Sequence, residues 1–355
     1  MQFEVITHKL VTISMLSVVG FCLAMLLTVI YTTLAYKYKF WKKQRTTSTS
    51  GEKLEVFTKL HAHKFKRNIP TMAGIVGVTS AAVVTLLFNL DRNQTWLPLA
   101  ALLGGAVIGL IDDIINIRSN GSGVAGLRSS IKFMMMIALA SVLGWWFYQI
   151  GYSGVVLPDF LARLALPGGL HIPELLDLGV WIIPLFVVAV VATSNSVNVS
   201  DGLDGLSGGL LTVSFGTFGV ISLLQNNVGI AGFCFTLVGV LLAYLWFNIH
   251  PARFFMGDVG SFAYGTALGV VAMLTNTLFL LPIIGILFVV EGGSSLVQLI
   301  SKKFFHRRVF RSAPLHHHLE AIGWPEEKVT MRFWVISCVA AFLGLLVALT
   351  GGYIS

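Results

Sequence analysis

The sequence predicts an all-α polytopic membrane protein with about ten transmembrane helices. Three observations carry that expectation. Hydrophobic residues make up 55% of the 355 and charged residues only 11%, where a soluble domain carries about 25% charge. Mean hydropathy is +0.82. The apolar residues gather into runs near the ~20 needed to cross a bilayer. Lipid requires every backbone polar group to be paired within the segment, so those runs are read as helices. Residues 1–355 read as a single integral-membrane domain. Cys22, Cys234 and Cys338 each lie inside an apolar run, with no sign of a disulfide or a metal site.

The runs fall at 10–36, 71–90, 96–115, 131–150, 179–194, 207–225, 229–249, 261–276, 278–300 and 332–350. The first is too long for a signal peptide and lacks a small-residue cleavage site, so it reads as an anchor. Orientation follows from Lys and Arg. Connections after the odd-numbered runs hold ten, three, none, one and seven of them, or 21 of 24; the other face has only Lys9, Arg92 and Arg163. Both termini are therefore expected outside, with the odd connections in the cytoplasm. The net charge of +8 is thereby assigned to a membrane surface, and nucleic acid is excluded as its partner.

The first connection is basic and ends Lys66-Arg67-Asn68-Ile69-Pro70-Thr71-Met72-Ala73-Gly74. Pro70 can open the second helix at its first turn. Thr71 and the free amides there would then face an anion, with Lys66 supplying a point charge. The third run ends Asp112-Asp113. Paired carboxylates at a helix C-terminus oppose the dipole, and an aspartate at depth costs ~2.5–3.5 kcal/mol. A Mg²⁺ site or a general base would justify them; a solvated helix end is the plainer alternative. The loop Asn120 to Leu127 is glycine-rich but lacks the ending of a P-loop. Lys132 beyond it can reach a phosphate or snorkel. In the connection 151–178, prolines and glycines alternate with short apolar pieces, suggesting a short hairpin or surface helix.

The chain's most polar interruption is Asn195-Ser196-Val197-Asn198-Val199-Ser200-Asp201-Gly202-Leu203-Asp204-Gly205-Leu206. Asp201 and Asp204 share a face if this stretch starts a helix. Two anions on one face need a cation, or a ligand whose hydroxyls and amides they accept. Ser200 or Asp201 as a helix cap is the alternative. Further on, Phe254-Phe255-Met256-Gly257-Asp258-Val259-Gly260-Ser261 sets a carboxylate between glycines that let backbone approach a ligand. The two phenylalanines offer faces suited to a base, and Asp258 could also simply cap the next helix. Glu291-Gly292-Gly293 inside the ninth run predicts a broken helix there. His316, His317 and His318 cannot all face one way on a helix, which argues against a zinc site made from them alone. Beside arginines they suit phosphate oxygens.

Asp112, Asp113, Lys132, Asn195, Asn198, Asp201, Asp204, Asp258 and His316 to His318 all fall on the face expected to be cytoplasmic. Carboxylates with lysines and histidines at one membrane surface are what a magnesium-dependent phosphoryl transfer needs. A transporter would place its charges near mid-span and show an inverted repeat; only Glu291 sits inside a run and no repeat is visible.

Asp112-Asp113, Asn195 to Gly205, Gly257 to Ser261 and His316 to His318 together resemble the motifs of the polyprenyl-phosphate N-acetylhexosamine-1-phosphate transferases. Pro70-Thr71-Met72, Phe255 to Ser261 and Ala313 to Glu320 are most similar to the branch that uses UDP-N-acetylmuramoyl-pentapeptide. The resemblance covers nearly the whole chain. It implies that undecaprenyl phosphate attacks the sugar-linked phosphate, giving lipid I and UMP, with Mg²⁺, a cytoplasmic active site in the bacterial inner membrane, a broken ninth span and a homodimer. It implies Asp258 as magnesium ligand, and Asp112 as base or nucleophile beside Asp113. Asn195, Asn198, Asp201, Asp204, Phe255 and Gly257 would line the nucleoside-sugar side. Lys66, Thr71, Lys132, His316, His317 and His318 would hold phosphate or uridine. The chain departs from the family at Asn116, where lysine is usual, and at Ala73, where glycine is usual. Asn116 bears on sugar choice, and UDP-N-acetylglucosamine is the alternative donor.

Overall fold

A computed structural model describes residues 2–41, 68–118, 126–158 and 175–354. Its helices are α1 (Gln2–Lys37), α2 (Gly74–Phe88), α3 (Trp96–Arg118), α4 (Ser129–Gln149), α5 (Ile182–Ser200), α6 (Leu206–Leu224), α7 (Val228–Asn248) and α8 (Gly257–Leu274). They are followed by α9 (Leu281–Ile284), α10 (Ile286–Phe305), α11 (Leu315–Ala321) and α12 (Glu326–Thr350). Eight of the described helices are long and apolar enough to cross a membrane: α1, α3 to α8 and α12. The pair 278–284 and α10 passes the same test as one bent unit. At 15 residues α2 is shorter, about 22 Å of helix. These account for the ten apolar runs of the sequence.

The bundle is built around α8. Every residue of this helix except Asp258 is buried. Its many Gly, Ala, Ser and Thr residues let neighbouring backbones come close, which is how helices gain packing energy where lipid supplies no hydrophobic drive. It packs chiefly on α3 and α5, and also on α2 and α6. Around it α1 lies on α7, α6 on α7, α4 on α5, and α12 on α6. The outer helices α1, α4 and α12 expose much of their apolar surface, as a lipid-facing ring must.

The broken helix is present, but its break is not at Glu291-Gly292-Gly293. The 82° bend falls at Gly285, between α9 and α10. Gly285 leaves helical geometry with ψ 29° after its N–H closes on the Leu281 carbonyl. Pro282 in the first turn of α9 has no N–H to extend the ladder backwards. Gly292 and Gly293 lie inside an unbroken α10; Gly292 instead makes room for Ser196 of α5. In the 151–178 connection, Gly154–Val156 and Leu175–Asp177 form an antiparallel pair, β1 and β2, as a hairpin reading requires.

Candidate active site

The closest approach of α3 to α8 positions the first cluster. Gly109 lies against the Asp258 backbone so tightly that a Cβ would collide with the Asp258 carbonyl. One turn further along α3 stand Asp112 and Asp113, 1% and 0% exposed. Asp113 Oδ2 accepts the Val259 N–H at 3.0 Å. That amide belongs to the first turn of α8, where orphan donors and the positive end of the helix dipole favour an anion. Asp258 is itself the second residue of α8, not its cap. Asp112 Oδ1 accepts the Leu127 N–H at 2.6 Å. Lys132 Nζ lies 3.2 Å from Asp112 Oδ2 and 3.2 Å from Asp258 Oδ2. Two carboxylates from separate helices therefore share one ammonium, with Lys132 and Asp258 partly open to solvent.

The Pro70 segment docks beside this cluster by a different route from the expected one. The second helix starts at Gly74, so Thr71 does not stand at its N-terminus. Thr71 N–H donates to the Phe40 carbonyl, and the Tyr31 hydroxyl donates to the Thr71 carbonyl. Phe255 N–H donates to the Pro70 carbonyl, and Ala73 N–H returns to the Phe255 carbonyl. This brace carries Phe255 half-buried to the start of α8. Gly257 turns the chain with φ +76°, and a Cβ there would lie 2.6 Å from Asp113 Oδ2 and 3.0 Å from Thr71 Oγ1. Thr71, Gly257 and Asp113 are thus neighbours. Phe254 is not a base platform: it is core, 3% exposed, packed on Tyr31, Tyr244 and Phe247. Lys66 lies outside the described residues.

Asp201 and Asp204 do not share a helix face. Helix α5 runs on through Ser200, and both aspartates sit in the turn before α6. Gly205, with φ +77°, is the N-cap of α6, so neither Ser200 nor Asp201 caps it. Asn198 on α5 reaches α8, its amide donating to Ser261 Oγ at 2.8 Å. Asn195 turns its amide back to the Val191 carbonyl. Gly202 lies against the His316 ring; a Cβ would strike Nε2.

The histidines face three ways on α11, as expected. His316 Nδ1 lies 2.7 Å from Glu291 Oε2, His317 Nδ1 lies 2.8 Å from Glu320 Oε2, and His318 Nδ1 accepts the Arg311 N–H. Burial pushes the His317 imidazole down to about 4; neighbouring His316 adds to this and Glu320 opposes it. Glu291 is the residue whose role the sequence reading missed. It marks a partner for His316, not a kink.

A second trio was also missed. Asp204, His250 and Glu326 present ligand-type atoms within 4.8 Å of one another. Asp204 Oδ2 accepts the Ala252 N–H at 3.0 Å and lies 3.1 Å from His250 Nδ1. The histidine before Pro251 and the paired glutamates opening α12 were the available signals.

The sequence model of glycosyl transferase family 4 matches residues 95–276. The phospho-N-acetylmuramoyl-pentapeptide-transferase of Chloroflexus aggregans is 40% identical over 305 residues, 82% of this chain and 80% of that protein. The chain belongs to glycosyl transferase family 4. The protein of the same name from Thermoanaerobacter sp. (strain X514) is 34% identical over 327 residues, 92% of this chain and 96% of its own length. The family 4 match runs from the start of α3 to just past α8. It takes in Asp112, Asp113, Lys132, the 195–205 stretch and Asp258, and stops short of Glu291 and His316 to His318.

Proposed function

We propose that this chain transfers phospho-N-acetylmuramoyl-pentapeptide from its UDP carrier to undecaprenyl phosphate, forming lipid I and UMP. The observation that carries this reading is Lys132 held between Asp112 and Asp258 at 3.2 Å from each, in a family 4 transferase with curated relatives named for that reaction. The excess of Lys and Arg on odd connections supports outside termini and a cytoplasmic site in the bacterial inner membrane. A single domain over residues 1–355, working as a homodimer, is part of the proposal.

Magnesium fits this place. Both facing groups are carboxylate oxygens, the donors a hard cation takes, and the Lys132 ammonium between them is itself a positive charge at the required position. Asp258, the more open carboxylate, is the proposed ligand, with Asp112 behind it. When bound, the ion offsets diphosphate charge and stabilises the leaving phosphate.

The chain's own residues do the rest. An oxygen of the lipid phosphate attacks the phosphorus joined to the sugar; the bond to the UMP phosphate breaks and UMP leaves with the electron pair. Lys132 neutralises charge growing on the phosphoryl oxygens. Asp112, fixed by the Leu127 amide, takes the proton of a lipid phosphate that arrives monoprotonated. Asp113 positions Asp258 by holding the first turn of α8. Asn195, Asn198, Asp201, Phe255 and Gly257 line the nucleoside-sugar side, and Asp204 shapes it through its turn. Thr71, Lys66, His316, His317 and His318 contact phosphate or uridine.

The test is product formation by purified protein with undecaprenyl phosphate, Mg²⁺ and either UDP-sugar. UMP release together with a lipid-soluble product is expected only with UDP-N-acetylmuramoyl-pentapeptide. Release only with UDP-N-acetylglucosamine would overturn the substrate.

A further inference from the structure

The trio around His250 lies on three different segments: Asp204 in the turn after α5, His250 just beyond α7, and Glu326 opening α12. His250 Nδ1 is 3.1 Å from Asp204 Oδ2 and 3.6 Å from Glu326 Oε2. A tetrahedral ion with bonds of about 2.0–2.1 Å keeps its donors about 3.3 Å apart, and the two separations bracket that value. A nitrogen with two carboxylates is a poor set for magnesium but suits zinc and its first-row neighbours.

The surroundings are those of a ligand set. A metal-bound imidazole donates its other ring N–H to an outer acceptor, which fixes the tautomer and aims the lone pair. Glu327 Oε1 stands 3.0 Å from His250 Nε2, which leaves Nδ1 to face the trio. Glu326 Oε1 accepts the Asp204 N–H at 2.6 Å, so its second oxygen is turned to His250. The Ala252 N–H holds Asp204 Oδ2. Asp204 is 1% exposed, so its carboxylate is held in place away from bulk water. The third of the His250 side chain that is exposed gives an entry path.

We propose that Asp204, His250 and Glu326 bind a divalent cation of the zinc class, separate from the magnesium proposed above. Its role is to lock α12 onto the 201–205 turn. Two weaker ties follow the same seam: Thr330 Oγ1 donates to the Asp204 carbonyl and Trp334 Nε1 to the Gly205 carbonyl. The inference rests on this geometry and not on the transferase reading.

The test uses full-length protein in detergent, stripped with a chelator and titrated with Co²⁺ in excess Mg²⁺. One equivalent is expected, with the visible bands of a four- or five-coordinate site and a raised melting temperature. Zn²⁺ should displace it. His250→Ala should abolish the bands. Glu327→Gln, at a side chain 52% exposed where folding is not at risk, should weaken binding about 10–100-fold. Asp258→Asn should leave the titration unchanged, which separates this site from the magnesium site. Absence of cobalt bands in the wild type, or unchanged affinity in Glu327→Gln, would overturn the proposal. So would a melting temperature that Co²⁺ leaves unchanged.

Discussion

Glu291 grips His316 with both carboxylate oxygens: Oε2 lies 2.7 Å from the ring Nδ1, and Oε1 accepts the backbone N–H at 3.1 Å. Both residues are fully buried. This pair fastens α11 to α10. Breaking such a pair from one side leaves polar groups stranded, at a cost of about 3–5 kcal/mol. Glu291→Ala should lower the melting temperature in detergent sharply, and Glu291→Gln, which keeps one acceptor, should lower it less. Equal melting of Glu291→Ala and wild type would refute this role.

Lys132 holds Asp112 and Asp258 together by charge. Lys132→Met removes the ammonium but keeps much of the stem, so its main effect should be on turnover. A drop of about 100–1000-fold in kcat is expected, the range for losing one electrostatic stabiliser. Lys132→Arg should recover part of it. Chelating magnesium should abolish transfer in the wild type and be reversed by adding the ion back. The measurement is initial-rate UMP release.

Gly109 sets how close Asp112 and Asp113 come to Asp258. Gly109→Ala must push α3 away from the Asp258 carbonyl. Overpacking costs about 1–3 kcal/mol, and activity should fall further than stability, because the carboxylates separate. A variant with lost stability but full activity would contradict this.

Gly202 plays the same part against His316. Gly202→Ala forces the ring off the 201–205 turn. Its expected signature is a raised KM for the UDP-sugar with less change in kcat, read from initial rates at varied donor.

His317 makes stability depend on pH. Its folded value is pushed down to about 4 from an ordinary 6.5. Between those values the unfolded chain takes up a proton that the folded chain refuses, so stability is full above about 6.5 and falls as pH drops toward 4. The loss approaches roughly 3 kcal/mol at the acid end. His317→Gln should flatten the unfolding midpoint over that window.

Local signals in the sequence were enough for the helices and for the aspartates on α3 and α8. Apolar runs mark spans because lipid allows nothing else, and Asp112, Asp113 and Asp258 are conspicuous as charges at their ends. What stayed hidden depended on contacts between distant segments. Glu291 and His316 are 25 residues apart and meet only because α11 folds back on α10. Asp204 and Glu326 are 122 apart, and no periodicity joins them. Glu291-Gly292-Gly293 reads as a break because a charge and two glycines interrupt an apolar run, yet Gly292 packs against Ser196 of α5 and α10 stays whole. A shared face for Asp201 and Asp204 requires the next helix to start with them, and nothing local shows that Gly205, at φ +77°, opens it instead.

Lys132 follows Asp112 by 20 residues, while Asp258 comes 126 residues after Lys132. As the chain is made, the first aspartate therefore meets a counter-charge from the very next helix and need not wait for α8. A neutral hairpin of α3 and α4 can settle in the bilayer early. The late arrival of α8 then adds Asp258 as a second anion to a partner already in place.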